Sequence, residues 1–446
     1  MMTYEEFQLK VKEIAEKAGL TQYELYYSER EDQSVRVMNH EVSSFSSDKE
    51  CGACFRCIYE GKMGYAATEL FDEAQAEALV SDAMENASLM GVEGEAEIFE
   101  GSKEYQSVET EALRSADLAD TAMKLYEAAL QAELRVQAST MAGAAQVQGR
   151  IELTNSAGLH LSNTYGYQQA SSFAIVKEGD EQFSAMDFAV TPLQEADVEA
   201  IAKNAVQSAV GKIGAILVPT GKYPVVFDAD AIGSVLRAYV PIFNADNAQK
   251  GLSLLAGKEG EAVAAENITI MDDPFYKDSV VKTSFDAEGV ATSTKAIVEK
   301  GVLKTLLHNL QTAKKAGVPD TANASKAGYA SPVKIAPYTF YIVPGTASQE
   351  ELYQQAGDGI LVTSVTGLHA GTNAITGDFS IQCGGYRIRD GKKAEAITSF
   401  TVSGNFLTLL KHIQAVGADL KFQMPFGFTV IGAPSILTEE LSVAGE

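Results

Sequence analysis

Four apolar-rich runs, Tyr23-Glu-Leu-Tyr-Tyr27, Ser34-Val-Arg-Val-Met38, Ala53-Cys-Phe-Arg-Cys-Ile-Tyr59 and Met63-Gly-Tyr-Ala-Ala67, follow one another within fifty residues. They are rich in aromatic and β-branched side chains, and the turn Glu60-Gly-Lys62 joins the last two, which predicts an antiparallel sheet. Upstream, Thr3 and Glu6 form a capping box ahead of Phe7, Leu9, Val11, Ile14 and Ala15, so a helix ending near Gly19 opens the chain. Downstream, helical periodicity covers Asp72–Met90 and Glu109–Glu133, separated by the acidic loop Gly91-Val-Glu-Gly-Glu-Ala-Glu97. Arg135–Val190 reads as long strands, and a third helix is expected over Leu193–Val210.

The chain turns at Pro219-Thr-Gly-Lys222 and restarts with the strand Tyr223–Phe227 and a helix over Asp228–Phe243. This predicts two domains, 1–215 and 222–446. The second is mostly strand: Ile268–Met271, Thr292–Val298, Thr339–Val343, Ile360–Val365, Phe379–Ile388 and Ser435–Val443, with a hairpin at Gly301. Runs of strands with segregated helices predict an α+β fold, not a doubly wound parallel sheet. The second domain is expected to be a twisted antiparallel sheet or barrel.

The chain of 446 residues carries 35 Lys and Arg against 60 Asp and Glu, a formal charge of −25. Such a surface repels phosphate, so no nucleic-acid partner is expected. With 46% apolar and 21% charged residues the composition is that of a globular protein. Met1-Met-Thr-Tyr-Glu-Glu-Phe-Gln8 has neither the basic start nor the apolar core of a secretory signal, and no run is long enough for a membrane helix. The expectation is a cytoplasmic protein with no membrane partner. Four sparse cysteines, Cys51, Cys54, Cys57 and Cys383, are expected to be reduced thiols.

The supply of acid-base and metal-ligating groups is narrow. The five histidines, His40, His160, His308, His369 and His412, are far apart in sequence, and no His-Glu-x-x-His pattern exists. Cys51-Gly-Ala-Cys-Phe-Arg-Cys57 is similar to the start of an iron–sulfur motif. On a strand, however, residues three apart point to opposite faces, so Cys54 is expected to turn away from Cys51 and Cys57. No phosphate-binding glycine loop and no Gly-x-Ser-x-Gly nucleophile elbow is present.

Thr366-Gly-Leu-His-Ala-Gly-Thr-Asn-Ala-Ile-Thr-Gly-Asp-Phe-Ser380 is unusual for a structural strand. Its glycines allow close backbone approach, and His369, Thr372, Asn373 and Asp378 could orient a ligand. The alternative is a wide loop whose polar side chains bond their own backbone.

The same segment resembles the hallmark stretch of the TldD/PmbA family, metallopeptidase-related proteins also called modulators of DNA gyrase, and in particular its TldE/PmbA branch. Arg36-Val-Met-Asn-His-Glu-Val42, Gly64-Tyr-Ala-Ala-Thr68, Met271-Asp-Asp-Pro274, Phe285-Asp-Ala-Glu-Gly-Val-Ala-Thr292, Glu299-Lys-Gly-Val-Leu-Lys304 and Val402-Ser-Gly-Asn405 agree with that family in order. In the TldD branch a His-Glu-x-x-x-His motif and a cysteine near the C-terminus bind zinc, with the glutamate as general base. Here Arg237, Ala238 and Ile242 would occupy the His, Glu and His positions, and Cys383 lies well upstream of the family cysteine. Alanine cannot take a proton, isoleucine cannot ligate, and a guanidinium repels a dication.

The resemblance therefore implies a heterodimer in which a TldD-like subunit carries the zinc and this chain shapes a cavity that holds an extended peptide. No catalytic residue and no metal are expected in this chain. The stretch His369–Asp378, with Gly371 among its residues, is expected to line the peptide wall. The competing readings are a homodimeric peptide-binding protein without catalysis, a redox protein using the cysteine triplet, and an acidic protein acting directly on a topoisomerase.

Overall fold

The computed structural model describes residues 2–90, 97–108 and 113–445. The acidic loop expected at 91–97 falls, except for Glu97, outside the described residues, as do the first four residues of the helix expected from Glu109.

Helix α1 (Tyr4–Lys17) starts at the capping box, where the Thr3 hydroxyl accepts from the Glu6 amide and the Glu6 carboxylate accepts from the Thr3 amide. The four β-prone runs then merge into fewer, longer strands: β1 (Tyr23–Met38), β2 (Glu41–Tyr59) and β3 (Lys62–Thr68). Strand β1 continues through the polar stretch 28–33 because it is paired on both sides, with β2 and with β4 (Met141–Asn155). The β1–β2 turn is Asn39-His40, both at positive φ, the twist that a two-residue hairpin demands. With β5 (His160–Glu178) and β6 (Glu181–Val190) they form one antiparallel sheet in the order β3-β2-β1-β4-β5-β6.

Four helices cover one face of this sheet. Helices α1 and α2 (Glu73–Met90) pack with Tyr23, Leu25, Tyr27, Phe55 and Cys57. Helices α3 (Leu118–Ala132) and α4 (Val198–Val210) pack with Val35, Val37, Ala142, Ala144 and Val176. Both of the latter start later than expected, because Asp117 and Asp197 cap them by accepting from the amides of Asp120 and Ala200. An N-cap residue stands outside the helical conformation, and this outweighs the apolar spacing before it.

The opposite face carries Tyr26, Val147, Leu153 and Tyr167, which pack against Val281, Phe285, Ala287, Ala324 and Val430 of the second half of the chain. There β7 (Gly221–Phe227) leads into α5 (Ala229–Tyr239), a single 3-10 turn (Val240–Phe243) and α6 (Ala245–Gln249). Short strands follow: β8 (Ile270–Asp272), β9 (Lys295–Glu299) and β10 (Val302–Leu303), then α7 (Leu310–Ala316), the pair β11 (Ala324–Ser325) and β12 (Lys334–Ile335), and β13 (Thr339–Ile342). After α8 (Gln349–Ala356) come β14 (Gly359–Thr366), the one-turn helix α9 (Leu368–Gly371), β15 (Asp378–Arg389) and β16 (Lys392–Asn405). Helix α10 (Phe406–Lys411), β17 (Ile413–Val416), β18 (Lys421–Phe422), β19 (Val430–Ala433) and β20 (Ile436–Ala444) complete the chain.

Strands β16-β15-β14-β7-β20 form a barrel that closes when Thr401–Ser403 of β16 pair with Ser442–Ala444 of β20. All its contacts are antiparallel except β14 with β7. Closure removes the sheet edges. Its apolar residues form the largest core of the molecule, with Phe227, Tyr239, Phe379, Val402 and Phe406 among its members. A second mixed sheet, β10-β9-β8-β13-β19-β18, packs beside it, with β10 and β18 as its edge strands. The architecture is α+β with antiparallel sheets and a closed five-strand barrel in the C-terminal region.

Candidate functional site

Helix α5 leaves the barrel at the end of β7 and is capped by Asp228, whose carboxylate accepts from the Ala231 amide at 2.8 Å. Burial pushes the Asp228 carboxyl up to about 7, against the lowering effect of that amide. The three positions that the sequence singles out on this helix go to three environments. Arg237 is exposed and donates through Nη2 to the Met424 carbonyl at 2.8 Å. Ala238 is half-buried against the barrel core, and Ile242, on the 3-10 turn, is fully buried within it. Ile242 lies five residues beyond Arg237, past the end of α5 on the 3-10 turn, so the two side chains do not share an open face. This donor set does not fit a zinc ion: it offers a cation, a methyl group and a core hydrocarbon.

One flank of α5 meets the glycine-rich loop. Tyr239 stacks on Phe406, ring centroids 4.3 Å apart, and its hydroxyl donates to the carbonyls of Asp378 at 2.8 Å and Gly377 at 3.2 Å. In the loop, Thr372 Oγ1 donates to the Leu368 carbonyl. Asn373 Oδ1 accepts from the amides of Ile375 and Thr376, and Asp378 Oδ1 accepts from Asn405 Nδ2. Gly371 sits where a Cβ would press on the Ser380 carbonyl at 2.5 Å. The polar groups of Thr372, Asn373 and Asp378 thus build the loop itself, whereas His369 and Ile375 stand exposed on its outside.

The other flank meets a groove. Gln423, just after β18, donates through Nε2 to Ser234 Oγ at 2.9 Å and the Asp230 carbonyl at 3.3 Å, and Lys421 pairs with Asp230 at 3.0 Å. Between this segment, residues 278–280 and the Asp187–Val190 end of β6 lies a cavity of about 240 Å³. A cavity of about 420 Å³ adjoins it beyond residues 278–280, beside Thr164–Gln168 within β5. Sequence reading missed this groove: a two-residue strand such as β18 has no periodicity, and only the sheet order identifies β6 as an edge.

The remaining candidates stay apart. Cys57 belongs to the core under α1 and α2, against which Cys51 packs, whereas Cys54 faces the other side of the sheet near Lys326. Cys383 lies in the barrel core, and burial pushes the Cys57 thiol up to about 11 and the Cys383 thiol to about 12. His40 is in the β1–β2 turn, His160 pairs with Glu152 at 3.2 Å, His412 with Glu439 at 3.6 Å, and His308 is buried. Among the described residues, no three His, Cys, Asp or Glu side chains converge on a point that could hold a metal ion. No helix among them is long and apolar enough to cross a membrane.

Comparison with known proteins places this geometry. Family profiles match residues 23–87 as PmbA/TldA metallopeptidase domain 1, 109–213 as its central domain and 220–445 as its C-terminal domain. A metalloprotease of Methanothermobacter thermautotrophicus is 34% identical over 238 residues, 53% of this chain and 51% of the relative. A PmbA homolog of Haemophilus influenzae is 26% identical over 73% of this chain and 69% of its own. The chain thus spans about half the length of the first of these relatives and about two thirds of the second. A Thermotoga maritima protein described as a modulator of a DNA gyrase has a structure that superposes with a TM-score of 0.90 at 32% identity, covering 99% of this chain and 100% of its own. TldE of Thermococcus kodakarensis, 23% identical and covering 98% and 100%, shares the fold with a TM-score of 0.89. On the profile over 220–445, supported by the other two in order, the chain belongs to the PmbA/TldD metallopeptidase family.

Proposed function

We propose that this chain is a TldE/PmbA-like subunit of a TldD/TldE-type zinc metallopeptidase, a cytoplasmic enzyme that cleaves unfolded or extended peptides. In this reading it lacks the zinc motif, and a TldD-like partner supplies both zinc and general base. The observation that carries the reading is the chemistry of α5 and the turn after it: Arg237, Ala238 and Ile242 offer neither ligand nor base. Helix α5 is nevertheless held on both flanks, by Tyr239 to the loop 367–378 and by Gln423 to the groove. Its role is then to shape the cavity and grip substrate. Peptide backbone can be gripped without regard to sequence, because an extended chain exposes amides and carbonyls that a strand edge can satisfy.

Native mass spectrometry with metal analysis, on tagged protein purified from its own host, tests the proposal. A one-to-one complex with a second chain of similar length and one zinc is the expected result. A metal-free homodimer would replace it with the peptide-binding reading, and a homo-oligomer with stoichiometric metal would overturn it.

A further inference from the structure

The groove beside α5 is bounded by strand edges from two different sheets. Strand β6 ends the order β3-β2-β1-β4-β5-β6, and β18 ends the order β10-β9-β8-β13-β19-β18. The direction in which each edge points its backbone follows from the ladders. The Thr191 amide donates to the Gln168 carbonyl, and β5 and β6 keep one unbroken register from Gln169–Val190 to Glu178–Glu181. Antiparallel pairs alternate between bonded and non-bonded, so Ala189 and Asp187 are turned toward β5, while Phe188 and Val190 direct N–H and C=O to the open side. The same parity lets Lys212 Nζ reach the Ser184 carbonyl at 2.6 Å from outside the sheet. On the facing wall the Gln423 amide donates to the Ile431 carbonyl, and Lys421 pairs with Ala433, so Phe422 directs its backbone outward.

Strand β6, Glu-Gln-Phe-Ser-Ala-Met-Asp-Phe-Ala-Val, contains no lysine or proline, the residues that commonly blunt an edge against pairing. The cavity is lined by Val280, Phe422 and Val430 as apolar surface. Its charged lining is Asp187, Asp230 and Asp278 against Lys421, which already pairs with Asp230. Asp187 accepts from the neutral Asn204 amide and lies close enough to Lys421 to help raise its pKa, and Asp278 meets Lys277 at 3.7 Å where both are exposed. The 240 Å³ cavity therefore has outward-directed backbone groups on both walls and three carboxylates against one ammonium, whereas the adjoining cavity carries Arg114, Lys277 and Lys282 beside Asp278.

We propose that this groove receives an extended, basic peptide segment as an added strand on β6, with its cationic side chains facing Asp187 and Asp278. The inference rests on the peptide-handling role proposed above but requires neither the partner subunit nor zinc. Main-chain pairing with Phe188 and Val190 supplies affinity, and the carboxylates supply the preference for Lys and Arg over acidic residues.

The test uses the full chain by itself and a fluorescein-labelled eight-residue peptide of alternating Lys and Val, read by fluorescence anisotropy. Its controls are the Glu-Val counterpart and a Lys-Val peptide N-methylated at alternate amides. Saturable binding is expected, about tenfold weaker for the Glu-Val peptide and at least about tenfold weaker for the N-methylated one. Val190→Pro removes an outward N–H that the β5 ladder does not use and also trims a half-buried side chain packed with Val281 and Val430, so, with its melting temperature measured alongside, it should lose about tenfold in affinity. Slowed hydrogen exchange at the Phe188 and Val190 amides of the unmodified chain on adding the Lys-Val peptide gives a readout free of any folding defect. Equal affinity for Lys and Glu peptides, an unchanged exchange rate at those amides, or no saturable binding would overturn the proposal. Cleavage by the reconstituted pair, measured separately, judges the subunit reading.

Discussion

Replacing Arg56 by Met should loosen the junction between the N-terminal sheet and the second half of the chain. Arg56, on β2, lies between Glu24 of β1 and Glu288 of the 285–292 turn. Its Nη2 is 2.8 Å from Glu24 Oε1 and its Nη1 is 3.3 Å from Glu288 Oε1, with all three side chains at least nine-tenths buried. Glu288 Oε2 also accepts from the Leu310 amide, so the triad extends to the start of α7. Removing one member of a buried ion pair costs about 3–5 kcal/mol, because the partner is left charged without compensation. For 446 residues at about 2.1 cal/mol/K each the unfolding entropy is about 0.9 kcal/mol/K, so the loss amounts to a melting shift of roughly 3–5 °C. The cost should also depend on pH. Burial already raises the Glu24 carboxyl above its ordinary value, and without Arg56, which opposes that rise, it should go higher. A carboxyl whose pKa is raised by folding contributes stability below its unfolded value and loses it as pH rises through the folded value. The destabilisation should therefore be larger at pH 8 than at pH 5, and Glu24→Gln added to Arg56→Met should recover part of it. Calorimetric melts of the parent and the two variants at both pH values give the answer. A loss below about 1 kcal/mol at pH 8, or an equal loss at both pH values, would refute the view that buried charge compensation holds this junction together.

Asp228→Asn keeps the cap on α5 but removes a carboxyl raised to about 7. Since that group loses stability as pH rises through about 7, the variant should melt higher than the parent at pH 8 and close to it at pH 5. In the glycine-rich loop, Asn373→Ala removes the acceptor for two amides and should cost about 1–2 kcal/mol in a denaturant titration. The exposed His369→Ala should stay within about 0.5 kcal/mol of the parent. If the loop grips substrate, both should weaken cleavage by the reconstituted pair. Gly385→Ala places a Cβ against the Leu361 carbonyl of the neighbouring strand β14, and a melt should show a loss of about 1–3 kcal/mol from overpacking the barrel wall.

Local signals were readable where they were strong and contiguous. The capping box at Thr3 and Glu6, the hairpin at Glu60-Gly61 and the helix after Phe227 all appear where the residue pattern puts them. Cys54 faces away from Cys51 and Cys57 because strand alternation leaves it no other direction. The misplaced helix starts share one cause: apolar spacing extended back past Asp117 and Asp197, and the capping carboxylates overrode it. Strand β16 is not among the expected strands: its two ends are polar, and it becomes a strand by pairing with β15 and β20.

Composition, chain punctuation and the ordered family blocks were enough to determine an α+β chain and its family, since helix caps, turns and strand alternation are settled by near neighbours. Tertiary structure decided what the chemistry-bearing residues face. Only barrel closure buries Ile242 while leaving Arg237 outside, and only the sheet order makes β6 and β18 edges with a groove between them. Those outcomes rest on contacts between residues up to hundreds of positions apart, and no local pattern encodes which strand will be left without a neighbour.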